Sequence, residues 1–202
     1  MKIKILEQAE QLNECPEFYV DHLLWGTADM PLTKGQIGFL PGTGFLLKMT
    51  CMESSPKREY TQHNSPVCRD SAMEVFLMPD PQDTKKRVYL NLEMNANGVV
   101  LGEYGVGRSG RTFLTEEQIQ SCGCSAGVEE DSWSVQVTIP LSLLNDIYQD
   151  VEFIDASVVY LNFYKISEDP EIEHYASYSP VLSEEPNFHL PEYFEKCELY
   201  NE

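Results

Sequence analysis

Two segments of the sequence carry tyrosine, asparagine or glutamate at every second position. Aromatic rings can cover the C–H faces of a sugar, while amides and carboxylates can hydrogen-bond its hydroxyl groups. The pattern therefore suits a sugar-binding surface, and the alternative is a solvated outer face without a ligand. The polar series are Tyr89, Asn91, Glu93 and Asn95 in residues 87–95, and Tyr160, Asn162 and Tyr164 in residues 157–164.

A β-strand places alternate side chains on the same face, so each of these segments is predicted to be a strand with one polar and one apolar side. Four further segments are predicted strands because short runs of apolar, β-branched or aromatic residues lie between turn residues. Those segments are residues 44–51, 72–78, 99–104 and 133–139. Residues 82–86 are predicted to form the turn of a hairpin, and Asn97-Gly98 forms a second turn.

Helix signals are few. Thr115 and Gln118 form a capping-box pattern for a short helix that ends near Ser121, and Pro140 can begin another that runs to Tyr148. Both are predicted to connect strands. With no repeat and no Gly/Ser linker, residues 1–202 are predicted to form a single all-β domain, an antiparallel, jelly-roll-like β-sandwich with short connector helices.

A glycine-rich loop, residues 102–111, carries Glu103, Arg108 and Arg111. It lacks the Gly-Lys-Ser/Thr ending of a phosphate-binding loop. Glu103 and Arg108 are assigned to the candidate ligand site, since an arginine can reach ligand hydroxyls. The alternative is that the arginines only pair with surface carboxylates.

Composition excludes several partners. The chain has 14 Lys and Arg against 33 Asp and Glu, a net charge of −19, which disfavours nucleic acid and anionic membranes. The first residues lack a signal-peptide core and no stretch is long enough to span a membrane, so a cytoplasmic location is expected. The six cysteines are then expected to be reduced thiols. No metal ligands are assigned, because Cys122 and Cys124 lack the partners of a zinc site.

A series of short motifs follows in a defined order. The motifs are Asp70 with Glu74-Val75-Phe76-Leu77, then Asn91 to Gly98, Asn162-Phe163-Tyr164, Ser179-Pro180, and Phe188-His189-Leu190-Pro191-Glu192. Together they resemble the family 9-like carbohydrate-binding modules from about Trp25 to Leu199. The resemblance implies a β-sandwich that binds sugar and often carries calcium. The best-known members clamp sugar between two tryptophans. This chain has only Trp25 and Trp133, so Tyr178 is expected to serve as one stacking wall.

The predicted function is non-catalytic binding of a mono- or oligosaccharide, with no cofactor beyond the calcium that the resemblance implies. One alternative is a glycoside hydrolase that uses two carboxylates from among Glu74, Glu93 and Glu103. Another is a protein-interaction module that has lost sugar binding. The predicted ligand residues are Tyr89, Asn91, Glu93, Asn95, Glu103, Arg108, Tyr160, Asn162, Tyr164 and Tyr178.

Overall fold

A computed structural model describes residues 1–26, 29–80 and 87–201 of the chain. These residues form two short α-helices, α1 (Glu116–Ser121) and α2 (Leu141–Tyr148), and three short 3-10 turns. The strands are β1 (Lys2–Ile5), β2 (Phe18–Val20), β3 (His22–Gly26), β4 (Thr33–Leu40), β5 (Gly44–Cys51), β6 (Ala72–Pro79), β7 (Tyr89–Asn95), β8 (Val100–Gly105), β9 (Thr112–Phe113), β10 (Ser125–Val128), β11 (Trp133–Pro140), β12 (Val158–Ser167), β13 (His174–Ser177) and β14 (Glu195–Tyr200).

The strands hydrogen-bond in the order β10-β11-β5-β4-β1-β14-β12-β6-β7-β8-β9. Strand β1 pairs in parallel with both β4 and β14, and the other strand pairs among the described residues are antiparallel. The sheet curls so that the layer around β4, β5 and β11 packs against the layer around β6, β7 and β12. The predicted all-β sandwich is confirmed.

All six predicted strands and both predicted helices are present, as β5, β6, β7, β8, β11, β12, α1 and α2. Helix α1 begins with the predicted capping box, in which the Gln118 amide donates to Thr115 Oγ1 at 3.2 Å and the Thr115 amide donates to Gln118 Oε1 at 3.0 Å. The predicted turn at residues 82–86 lies outside the described residues.

The main core lies between the two layers. From the first layer, Trp133 and the alternating apolar residues of β11 point inward and are buried. From the second, Leu90, Leu92 and Met94 of β7 do the same. Alternation in β7 therefore sends its polar side chains to the opposite face of the second layer, away from the main core.

A second apolar cluster covers that opposite face. It contains Phe76 of β6, Tyr89 of β7 and Tyr164 of β12, together with Phe188 and Phe194. The two phenylalanines belong to residues 179–194, which we call the closing segment because it folds back over the sheet. The polar face of the second layer is consequently not an open surface.

The six cysteines are all described and all are free thiols, as the sequence predicted. Among the described residues, no helix has both the length and the apolar character needed to cross a membrane.

Candidate functional site

The polar side chains predicted from the sequence share one face of the second layer. In the antiparallel register Tyr164 lies opposite Glu74, and Glu74 lies opposite Glu93. One step along the strands, Asn91 lies opposite Phe76 on one side and Glu103 on the other. Since residues that are directly paired across strands point to the same side of a sheet, β12, β6, β7 and β8 build one continuous face. Tyr89, Asn91, Glu93, Asn95, Glu103, Tyr160, Asn162 and Tyr164 belong to it.

Most of this face is closed off by the closing segment. Asn162 Nδ2 donates to the Ser179 carbonyl at 2.9 Å, and Asn162 Oδ1 accepts from the Ser179 amide at 2.9 Å. Tyr164 stacks on Phe188 with ring centroids 4.1 Å apart, and its hydroxyl donates to the Phe188 carbonyl at 3.3 Å. Asn162 and Tyr164 are fully buried, so they hold the closing segment in place and do not present groups to solvent.

Asn95 and its neighbours stabilise a turn. Its Nδ2 donates to Asp70 Oδ2 at 2.8 Å and to the Tyr60 carbonyl at 2.9 Å, and its Oδ1 accepts from the amides of Asn97 and Val99. With every polar atom bonded inside the protein, Asn95 has no group left for a ligand.

The structure separates Tyr178 from the polar face. Its ring lies against Phe18 and Phe163, at centroid distances of 5.7 and 5.9 Å, on the side of β12 that faces the main core. It lines another hollow, of about 470 Å³, together with Tyr19. Tyr160 stays on the polar face but packs, partly buried, against the second apolar cluster.

The described part of the polar face has an opening, a cavity of about 130 Å³. Of the predicted ligand residues, only Glu93 and Arg108 line it. The complete lining is Cys68, Glu74, Glu93, Arg108, Ile166, Glu168, Tyr175, Pro186, Asn187, Phe188 and His189. Larger hollows lie elsewhere on the molecule. The small cavity is nevertheless the stronger candidate for a binding site, because desolvated carboxyl groups, an arginine, an amide and aromatic rings meet there.

Two of its carboxyl groups hold a proton more tightly than usual. Burial raises the pKa of Glu74 well above its usual value, and the facing Glu93 raises it further. Burial, with the nearby Glu103, raises the pKa of Glu93 to about 8. Two carboxylates on directly paired strands repel each other when both are ionised. At neutral pH the pair therefore keeps at least one proton, which makes it both a hydrogen-bond donor and an acceptor.

Arg111 and Tyr89 form the support beneath Glu93. The Arg111 guanidinium lies 4.1 Å from the centre of the Tyr89 ring and donates to Asn91 Oδ1 from Nε at 3.2 Å and from Nη2 at 2.7 Å. Asn91 Nδ2 in turn donates to Glu93 Oε1 at 3.2 Å. Asn91 and Arg111 are thus used to orient a cavity carboxyl group.

His189 is held in one orientation by Tyr89. The Tyr89 hydroxyl donates to the Gly107 carbonyl at 2.9 Å and lies 2.9 Å from His189 Nδ1. Because the hydroxyl proton is used on a carbonyl, we assign the ring proton to Nδ1, which leaves Nε2 as an acceptor. Burial, with Arg111 and Arg108 nearby, lowers the pKa of His189 to about 3, so the ring is neutral.

Sequence reasoning overlooked much of this lining. In the sequence, Glu74 stands out as a motif residue and as a possible hydrolase carboxylate, and no pattern predicts a ligand role for Glu168, Tyr175 or Asn187. The signal for Glu74 was present, because alternation puts it on the same strand face as Phe76 and opposite the apolar Val75. No local pattern indicates Asn187, because it reaches the cavity only through the path of the closing segment.

The family resemblance implies calcium, which would need a cluster of oxygen ligands. In residues 1–26, 29–80 and 87–201, no cluster of three or more His, Cys, Asp or Glu side chains is arranged to hold a metal ion. Calcium needs six to eight oxygen ligands.

The raised pKa of Glu93 predicts an unusual pH dependence of stability. Its folded value of about 8 exceeds the usual 4.5, so the folded state binds more protons and stability falls as pH rises through this range. The lowered pKa values of His174 and His189 act in the opposite direction, mainly below pH 6.5. Between pH 6.5 and 8, urea denaturation should therefore show a loss of about 2 kcal/mol. The Glu93→Gln variant should lose much less, and equal losses would contradict the shifted pKa.

Comparison with known proteins gives a consistent result. The sequence model of the family described as Carbohydrate-binding family 9 matches residues 5–199. No curated protein matches. A crystal structure from Bacteroides uniformis ATCC 8492, of a protein named for an expected carbohydrate-binding role, has a TM-score of 0.83, 22% identity and 98% coverage of both chains.

Two structures of a family 9 carbohydrate-binding module from Caldicellulosiruptor kristjanssonii also match. The complex with glucose has a TM-score of 0.65 and 11% identity, and covers 100% of this chain and 97% of that one. The complex with cellotriose has a TM-score of 0.63 and 12% identity, and covers 100% of this chain and 95% of that one. At these identities the structural likeness shows the fold.

Proposed function

The chain belongs to carbohydrate-binding family 9, and we propose that it binds the end of a carbohydrate, without catalysis, in the cavity between Glu74, Glu93 and the closing segment. The glucose and cellotriose in the structures of similar fold support a carbohydrate as the ligand. The proposal depends on one observation above all. The polar face of the second layer opens at this cavity, and the carboxyl groups that line the cavity do not have a full set of hydrogen-bond partners within the protein.

The cavity offers the two kinds of contact that a sugar needs. Glu74 and Glu93 provide oxygens for hydroxyl groups, and Asn187 and Arg108 add an amide and a guanidinium. Tyr175 supplies an aromatic surface for the C–H side of the ring. Amides and carboxyl groups can satisfy hydroxyls that both donate and accept hydrogen bonds. The groups thus complement a polyhydroxylated ring.

Size favours one terminal ring over a long chain. A cavity of about 130 Å³ is smaller than the roughly 300–1,000 Å³ of sites for drug-sized ligands. Its depth is limited by Ile166 and Phe188, which are buried in the second apolar cluster. Further sugar rings would extend outward past Arg108, which is exposed and donates to the Pro186 carbonyl at 3.0 Å.

Calorimetric titration with glucose and cellotriose tests this proposal. We expect saturable binding that weakens roughly tenfold in Arg108→Ala and in Asn187→Ala, because each change removes one or two polar contacts to the ligand. Tyr178→Ala is the matched control, since it removes a tyrosine that lines the other hollow, and it should leave the affinity unchanged. Loss of binding in the control alone would contradict the proposed location. No binding to any sugar of a broad panel would favour the protein-interaction alternative.

The hydrolase alternative has one supporting observation, the pair of carboxyl groups with raised pKa values. Hydrolysis needs two carboxyl groups that flank the scissile bond. Glu74 and Glu93 instead stand side by side on one wall, on adjacent strands. Incubation with cello-oligosaccharides and aryl glycosides separates the two functions. Binding alone releases no new reducing ends, whereas release that Glu93→Gln abolishes would establish the hydrolase.

A further inference from the structure

Glu74 is a buried carboxyl group without a hydrogen-bond partner among the described residues. Glu74 is 2% exposed, and its carboxyl group makes no hydrogen bond or ion pair with any described residue. Among the described residues, the only side-chain nitrogen or oxygen atom that is both fully enclosed and without a hydrogen bond is Ser177 Oγ. The Glu74 oxygens are therefore not enclosed by protein and must open onto the cavity that Glu74 lines. A buried polar group of this kind indicates a missing partner.

The carboxyl groups around it are also incompletely paired. Glu93 stands directly opposite on β7 and receives one hydrogen bond, from Asn91 at 3.2 Å. Glu168 also lines the cavity, and Cys68 Sγ lies 3.5 Å from its Oε2. One wall of the cavity thus gathers three carboxyl groups.

The positive charges nearby do not neutralise this wall. Arg108 lines the cavity but donates to the Pro186 carbonyl. Arg111 is committed to Asn91, to backbone carbonyls and to the Tyr89 ring. Lys165 follows Tyr164 on β12 and so points to the other side of the sheet, where it contacts Ser71 and His174. Its charge acts through the sheet to lower the pKa of Glu74, but burial, Glu93 and Glu168 each raise that pKa more. His189 is neutral because burial lowers its pKa to about 3.

A bare metal ion does not fit this place, since no metal-binding cluster exists among the described residues. A cationic group attached to a sugar ring does fit. An ammonium group has three donors and can bond two carboxylates at once, and hydrogen bonds between ionised groups are stronger than neutral ones. Tyr175 and Phe188 add aromatic rings, whose faces attract cations.

We propose that the ligand is an amino sugar with a free ammonium group, which pairs with Glu74 and Glu93 when the ring enters the cavity. This inference depends on the proposed function and narrows its ligand class. A neutral hexose has a hydroxyl group where the amino sugar has its ammonium group. It therefore brings no positive charge to the carboxyl groups of the cavity. An N-acetylated amino sugar also lacks that charge and is bulkier.

Calorimetric titration of the whole chain at pH 7 with glucosamine, glucose and N-acetylglucosamine tests this inference. We expect glucosamine to bind roughly tenfold or more tightly than glucose, as one added charge-assisted hydrogen bond would give. N-acetylglucosamine should bind no more tightly than glucose. Because the free carboxyl pair holds a proton, glucosamine should also displace it. The observed enthalpy should then depend on the ionisation enthalpy of the buffer for glucosamine and not for glucose.

Three variants locate the effect. Glu74→Gln and Glu93→Gln are isosteric, and each should reduce the ratio of glucosamine affinity to glucose affinity to about twofold or less, even where the affinity for glucose also falls. Glu184→Gln changes the same charge at an exposed position of the closing segment and should retain the full preference. This control separates pairing in the cavity from general attraction to an acidic protein.

The outcomes distinguish the two proposals. Equal affinity for glucosamine and glucose would overturn the amino-sugar inference and leave carbohydrate binding intact. A preference that survives in both cavity variants, or that disappears in Glu184→Gln, would also overturn it. Absence of binding to all three sugars and to cellotriose would remove the proposed function itself.

Discussion

Replacing Glu53 with glutamine is expected to lower the free energy of unfolding by about 3 kcal/mol or more. Lys165 is fully buried, and its Nζ lies 3.7 Å from Glu53 Oε2. Glu53 also accepts hydrogen bonds from Trp133 Nε1 at 2.9 Å and from the Ser71 hydroxyl. Without the carboxylate, the hydrogen-bond partners left to the Lys165 ammonium are neutral: Ser71 Oγ at 2.7 Å, His174 Nε2 at 2.9 Å and the Ile166 carbonyl at 3.4 Å.

The pKa values agree with this dependence. Burial lowers the pKa of Lys165, whereas Glu53 opposes that shift. Burial, and then the neighbouring Lys165, lower the pKa of His174 to about 4, so the histidine is neutral and supplies no negative charge in place of a lost carboxylate.

Urea denaturation of Glu53→Gln and of Glu17→Gln measures the effect. Glu17 also pairs with a lysine, Lys34 at 2.6 Å, but both side chains are 37% exposed. Exposed ion pairs contribute little to stability, so this variant should unfold almost like the parent protein. Equal and small effects in the two variants would mean that the buried network does not stabilise the fold.

Replacing Arg111 with methionine is expected to cost about 3 kcal/mol of stability or more, because a buried hydrogen-bond network is broken. The Arg111 side chain is 2% exposed, and its Nη1 and Nη2 donate to the carbonyls of Gly107 and Tyr89 at 2.8 and 3.0 Å. It also supports Asn91, and through it Glu93. Methionine fills much of the volume but donates no hydrogen bond, so the Tyr89 carbonyl and Asn91 Oδ1 lose the Arg111 donors, while the Gly107 carbonyl keeps the Tyr89 hydroxyl.

Arg108→Met provides the comparison, because Arg108 belongs to the same loop but is exposed and makes one hydrogen bond. Chemical denaturation should show a much smaller loss for Arg108→Met, although its sugar affinity should fall. Destabilisation of similar size in the two variants would contradict the different roles assigned to the two arginines.

Alternation in the sequence was enough to predict the polar face. Residues 87–95 and 157–164 both form strands, and Asn91 and Asn162 lie on the same face, with one strand between theirs. Alternation reports which side of a strand a residue occupies, but it does not report what covers that side. The cover comes from Phe188 and its neighbours, which are distant in sequence and reach the face through long-range contacts.

Strand β4 shows why other elements escaped prediction. Glycines weaken a strand pattern, yet here they permit close packing. A side chain at Gly35 would come within 2.4 Å of the Phe18 ring, and one at Gly38 within 2.6 Å of Leu6. The requirement for glycine arises from neighbours in the folded structure and leaves no local signal. The burial of Lys165 also leaves no local signal, since a lysine near the end of a predicted strand gives no indication of a buried hydrogen-bond network.

A crystal structure of the chain soaked with cellotriose at neutral pH tests the central claim most directly. We predict that one terminal ring lies in the cavity, with its hydroxyls within hydrogen-bonding distance of the Glu74 and Glu93 carboxyl groups and its C–H side against Tyr175. A ring bound instead in the hollow beside Tyr19 and Tyr178, with the cavity holding only water, would contradict that claim.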